Sequence, residues 1–285
     1  LALDVAYVPL GVEPERLEDA IRGLVALGYL DEARAFFDWL LHATRLTWPK
    51  LKVLYDVYGG SHLPEHELPH WRGFCDSRPV RIGNGAYTQL QLDVYGEVVD
   101  VMYQAQRAGL ENTDADWRLQ VALLEYLEGK WEKPDAGIWE VRGGARQFTH
   151  SKMMAWVAFD RAVKLVQDCG CHPDHNLERW IRIRDQIHRE VCECGYNKTK
   201  KAFTQFYGSE AMDASILMMP EVGFLPPNDE RVRNTIEAVE RDLMREKHDA
   251  MSSGCGNLWL VALKSCLLCV TKANRDPEPA ATDSA

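Results

Sequence analysis

The chain has 285 residues, of which 46% are hydrophobic and 27% charged, so wholesale disorder and a fibrous repeat are excluded. Lys plus Arg number 33 against 43 Asp plus Glu, a formal net charge of −10. Such a charge argues against nucleic acid or an anionic membrane as partner and suits a neutral or cationic ligand.

Helical periodicity dominates from the start. Over Glu15 to Leu27 the apolar residues Leu17, Ile21, Leu24, Val25 and Leu27 recur three and four apart, and Gly28 ends the run. The pattern restarts over Leu30 to Thr44 with Ala33, Phe36, Phe37, Leu40 and Leu41 on one face. Further helices are predicted over Thr88 to Ala108, Asp114 to Glu128, Thr149 to Asp168 and Leu177 to Cys194. Three more follow over Met212 to Met219, Asp229 to Arg245 and Asn257 to Val270. Strand-like stretches are short, Leu51 to Tyr58 and Val80 to Ile82. This order predicts an all-α domain over residues 15–270, an α/α barrel or an α-solenoid, after an irregular segment 1–14 and before a disordered tail 271–285. No repeat of 34 or 40 residues is visible, which weakens the solenoid.

Leu258 to Val270 is too short to span a bilayer and contains Lys264, so no membrane segment is expected. The chain opens Leu1-Ala2-Leu3-Asp4, without Met or a secretory leader, and is expected to begin inside a longer protein. Cys169-x-Cys171 and Cys192-x-Cys194, with His172 and His175 between, invite a zinc reading. The one-residue spacing disfavours it. Free thiols in a reducing, cytoplasmic setting are expected instead, with no metal and no cofactor.

Two long loops interrupt the helices, Leu51 to Tyr87 and Gly129 to Gln147. The second contains Lys133-Pro-Asp-Ala-Gly-Ile-Trp-Glu-Val-Arg142. Trp139 offers an apolar face beside Glu140, and such a neighbour keeps a carboxyl protonated near neutrality. That is what a general acid for glycoside cleavage needs, with Arg142 to orient a sugar hydroxyl or a second carboxylate. The other reading is a loop pinned by a buried Trp, with Glu140 paired to Arg142. Gln89 and Asp93 stand one turn apart and suit a shared polar cavity wall. His150 and Lys152 suit a helix start or a cavity. Asp213 reads most simply as an N-cap. Nucleotide-binding and nucleophile-elbow motifs are not found.

Several stretches together resemble glycoside hydrolase family 15, in its glucoamylase-related and trehalase-like branch. They are Trp48-Pro49, Leu63-Pro-Glu-His-Glu-Leu-Pro69, Ser77-Arg-Pro-Val-Arg-Ile-Gly-Asn84, Gln89-Leu-Gln-Leu-Asp-Val-Tyr-Gly-Glu-Val98 and Pro134-Asp-Ala-Gly-Ile-Trp-Glu-Val-Arg-Gly143. Phe148-Thr-His-Ser-Lys152, Tyr207-Gly-Ser209 and Phe224-Leu-Pro-Pro227 continue the series. The resemblance implies an (α/α)6 barrel, an inverting mechanism and an α-linked glucoside such as trehalose or an α-glucan. Glu140 matches the general acid, with Trp139 and Arg142 beside it as substrate contacts, and Asp19 matches a residue that holds the terminal glucose. Glu18 stands where the family has Arg, and no late Glu matches the general base. The barrel therefore reads as truncated or altered at both ends. Two further readings stay open: an inactive sugar-binding relative or incomplete gene product, and a helical interaction scaffold.

Overall fold

The structure, a computed structural model, describes residues 23–24, 27–110, 113–141, 143–169 and 176–243, the side chain of Cys169 apart. The predicted helices over Glu15 to Leu27 and Asn257 to Val270 and the tail fall almost wholly outside these residues. Among the described residues no helix is long and apolar enough to cross a membrane.

The described elements are helical, with two short hairpins. The chain divides into two compact units, Leu1–Ile187 and His188–Ala285. In the first, α1 (Leu30–Arg45) buries Phe37, Leu40 and Leu41 on the face that periodicity predicts. Its C-terminal Arg45 pairs with Asp116. Asp116 also completes the capping box that starts α3 (Asp114–Glu128): Thr113 Oγ1 accepts from the Asp116 amide at 3.3 Å, and the Thr113 amide donates to Asp116 Oδ2 at 2.8 Å.

The centre of this unit is the pair α2 (Asp93–Arg107) and α4 (Thr149–Cys169). Both are buried nearly all round. They cross where α2 carries Gly96: a Cβ there would lie 2.2 Å from the Met154 carbonyl oxygen, so only glycine admits the approach. Burying both helices encloses charge as well. The Arg161 guanidinium bonds Asp100 on α2 and, at 2.6 Å, Asp160 on its own helix, and it lies 5.5 Å from the centre of the Tyr103 ring.

β1 (His66–Leu68) pairs antiparallel with β2 (Val80–Ile82), Glu67 opposite Arg81. The predicted strand at Val80 to Ile82 is present, and its partner lies in Leu63-Pro-Glu-His-Glu-Leu68. Leu51 to Tyr58, predicted as a strand, is not one. Asp56 Oδ1 accepts from the amides of Tyr58 and Gly60, both at 2.8 Å, which closes a turn and satisfies the backbone locally. The helix predicted over Thr88 to Ala108 is shorter, Asp93–Arg107, because a short 3-10 turn over Gly85–Thr88 precedes the helix proper.

α5 (Leu177–Glu190) ends earlier than the predicted Cys194, in a π turn over Val191–Gly195. In the second unit β3 (Tyr196–Asn197) and β4 (Ala202–Phe203) form a tight hairpin. It packs on α6 (Glu230–Leu243), where Thr235 Oγ1 accepts from the Phe203 amide at 3.0 Å. Ala202, Met212, Leu217, Ala238 and Val239 form the core of this unit. The helix predicted over Met212 to Met219 shrinks to a 3-10 turn, Ala214–Met218. Asp213 caps it by accepting from the Ser215 amide and hydroxyl at 2.9 and 2.7 Å, as its sequence position suggested.

Candidate active site

The loop between α3 and α4 is closed at its base. Asp135 and Arg146 exchange backbone hydrogen bonds of 2.9 and 2.8 Å, so the intervening residues form a bounded excursion from one anchor. Two contacts tie that anchor to the chain leading into α2. The Leu92 amide donates to Asp135 Oδ2 at 2.9 Å, and the Ala136 amide donates to the Leu90 carbonyl at 2.9 Å. From the other side the buried ammonium of Lys152 donates to the Trp131 carbonyl and, at 2.7 Å, to that of Lys133. Of the two roles open to Lys152, structure is the one observed. His150 is buried beside it in the first turn of α4.

Within the excursion Gly137 adopts φ +70°, and a Cβ there would lie 2.7 Å from the Phe148 ring. Glycine is therefore required on two grounds, conformation and space. The Glu140 amide donates to the Gly137 carbonyl at 3.1 Å, and Glu140 itself takes φ +50°. A non-glycine residue in the left-handed region is strained, and such strain gathers at functional sites.

Glu140 is half-buried and lines a cavity of about 250 Å³ with Glu65, Asn84, Gly85, Ala86 and Gln89. The group set on its carboxylate is the Asn84 side-chain amide, whose nitrogen lies 3.0 Å from each oxygen. Asn84 is itself fixed. Its side-chain oxygen accepts from the Ala86 amide at 2.8 Å, and its backbone amide donates to the Leu63 carbonyl at 3.0 Å. Glu65 is engaged by Arg81 at 3.3 Å, and Arg81 reaches Glu67 at 3.0 Å.

The structure thus brings Glu140 and Gln89 to one cavity. Asp93, expected to share a wall with Gln89, is buried in the protein and is not among the lining residues. Trp139 also stands outside the lining set, with 38% of its surface exposed. Asp19 and Arg142 lie outside the described residues. Sequence reasoning gave no separate role to Asn84 or Glu65. Their signal was present as the turn Gly83-Asn84-Gly85 after a strand and as the carboxylate in Leu63-Pro-Glu65. Among the described residues no group of three or more His, Cys, Asp or Glu side chains is arranged to hold a metal. Cys192 and Cys194 are free thiols, and Cys171 is not among the described residues.

The profile of Glycosyl hydrolases family 15 matches residues 20–254, and the chain belongs to that family. It is 40% identical over 230 residues to the trehalase of Mycobacterium tuberculosis, covering 80% of this chain and 33% of that protein. It is 35% identical over 225 residues to the trehalase of Thermoplasma volcanium, covering 79% of this chain and 35% of that one. The chain therefore spans about a third of the length of these relatives.

Solved structures share the fold. A wild-type glycosidase superposes with a TM-score of 0.64 at 18% identity, over 83% of this chain and 62% of that one. The glucoamylase from Saccharomycopsis fibuligera superposes with a TM-score of 0.55 at 11% identity, over 81% and 53%. The fold class is all-α, of the (α/α)6-barrel type expected from the sequence.

Proposed function

We propose that this chain carries the general-acid side of a site that cleaves an α-linked glucoside of the trehalose type, with Glu140 as the acid. The observation that carries this reading is the Asn84 clamp on Glu140 at the wall of a cavity, in a chain similar to proteins named trehalase. The chemistry follows from the geometry. Glu140 delivers its proton to the glycosidic oxygen as the bond to the anomeric carbon breaks. Its carboxyl gains negative charge in that step. The Asn84 N–H faces both oxygens and strengthens as the charge develops, so it favours the transition state over the ground state. Asp19, Trp139 and Arg142 hold the sugar in this proposal.

Inversion requires a water on the opposite face and a second carboxylate roughly 6.5–9.5 Å from the acid. Glu65, the other carboxylate of the cavity, is committed to Arg81. It suits a hydroxyl acceptor better than a base, and no described residue is assigned that role. Turnover by this chain is therefore expected to be slow, since general base assistance contributes about 10²–10⁴-fold.

The test is glucose release from trehalose, maltose and a soluble α-glucan, with Glu140→Gln alongside. Slow release that drops at least about 10²-fold in the variant supports the acid. Equal rates for the two proteins exclude it. Equal background rates with trehalose still bound would favour a sugar-binding relative, the reading that the engagement of Glu65 by Arg81 supports.

A further inference from the structure

The two feet of the β1–β2 hairpin stand in the cavity wall. Glu65 directly precedes β1, and Asn84 follows shortly after β2. The feet are cinched together. The Asn84 amide donates to the Leu63 carbonyl at 3.0 Å. Gly83, at φ +73°, would place a Cβ 2.1 Å from the Pro64 carbonyl oxygen. Glu65 and Asn84 thus adjoin a backbone contact that only glycine admits. The backbone of Glu65 is fixed relative to the residue that clamps Glu140.

The side chain of Glu65 is held through strand register. Arg81 stands opposite Glu67 in the ladder. Side chains alternate along a strand, so Glu65 and Glu67 share the face of Arg81. The guanidinium spans both. Its Nε lies 3.3 Å from Glu65 Oε1, and its Nη2 donates to Glu67 Oε1 at 3.0 Å. Glu67 is exposed and Glu65 half-buried, so water screens the Glu67 arm more than the Glu65 arm.

Charge then bears on what the cavity admits. Glu65 and Glu140 are the charged residues of its lining, beside Asn84, Gly85, Ala86 and Gln89. Two uncompensated carboxylates would draw a cation. Arg81 offsets one of them. A carboxylate has about four acceptor positions, so one that meets a single guanidinium nitrogen keeps the capacity to accept a hydroxyl.

We propose that Glu65 is a specificity-determining residue that accepts one hydroxyl of the bound sugar, and that Arg81 is its positioning residue, matching the cavity to a neutral sugar over one that carries an ammonium group. The proposal rests on the reading of this cavity as a sugar site. Glu140 meets the glycosidic oxygen in that reading, and Glu65 selects the sugar beside it.

The experiment is binding of glucose, its monodeoxy analogues and protonated glucosamine to the 285-residue chain, followed by ligand-observed NMR titration. In wild type one monodeoxy analogue is expected to bind at least about 10-fold more weakly than glucose, and Glu65→Ala is expected to bind that analogue and glucose alike. Glu67→Ala is expected to keep every affinity within about twofold. Arg81→Gln is expected to shift preference from glucose toward glucosamine by at least about 10-fold, because the Glu65 charge is then uncompensated. A purely structural role for Arg81 would weaken both sugars equally and would overturn its part. A Glu65→Ala chain that discriminates among the analogues as wild type does would overturn the proposal. Thermal unfolding shows whether each variant is folded, and if Arg81→Gln is not, Glu65→Ala alone decides. Sugar binding that does not depend on Glu65 removes this proposal only, whereas a wild-type chain that binds no sugar removes the reading of the site as well.

Discussion

Both carboxylate oxygens of Glu140 lie 3.0 Å from one nitrogen, the side-chain amide of Asn84. The two residues are 56 positions apart and come from different loops. An amide nitrogen equidistant from both oxygens restricts how the Glu140 carboxyl group can turn. Asn84→Ala is expected to lower glucose release from trehalose by about 10²-fold, because a misaimed acid loses that much from small displacements. Asn84→Asp sets a second carboxylate against the first and is expected to be at least as damaging. Rates equal to wild type in both variants would mean that other groups aim Glu140.

Gly137 has φ +70° and the Phe148 ring at the place of a Cβ. Gly137→Ala is expected to cost about 1–3 kcal/mol from backbone strain and overpacking. At roughly 2–4 °C per kcal/mol for a chain of this size, that is a readily measured drop in melting temperature. The same variant is expected to lose glucose release, since the Glu140 amide bonds the Gly137 carbonyl.

Gly96 is a stricter case. A Cβ there meets backbone, the Met154 carbonyl, at 2.2 Å, and no side chain can swing away to relieve it. Gly96→Ala must separate α2 from α4 and is expected to destabilise the chain by about 3 kcal/mol or more. A melting temperature within a degree of wild type would show that the two helices can part at little cost.

Arg161 and Lys164 give a matched pair of measurements. Arg161 is buried between Asp100 and Asp160, whereas Lys164 reaches Asp160 at 2.7 Å from a side chain 41% exposed. Arg161→Met leaves the buried Asp100 carboxylate without its cation and Asp160 with Lys164 alone, and is expected to cost about 3–5 kcal/mol. Lys164→Met removes a solvent-screened partner and is expected to cost about 1 kcal/mol or less. Chemical denaturation of the two variants checks the ratio, and equal losses would show that burial does not set the strength of this cluster.

The sequence alone determined where several of the helices run and singled out Glu140. The apolar period over Leu30 to Thr44 returned as Leu30–Arg45, and Asp114–Glu128 returned unchanged, because one helical face is a local property of the chain. Glu140 stood out because Trp, Pro and Gly surround it in a short, irregular stretch that local chemistry makes legible. Leu51 to Tyr58 misled, because an Asx turn at Asp56 competes with strand pairing and leaves no trace in the apolar pattern. Tertiary structure alone decided which groups meet across long separations. It set Asn84 on Glu140, took Asp93 out of the Gln89 wall and into the interior, and paired His66–Leu68 with Val80–Ile82. A polar residue has the same appearance in a sequence whether it faces water or the protein interior. Its partner is chosen only when helices as close as α2 and α4 at Gly96 have packed and excluded the solvent.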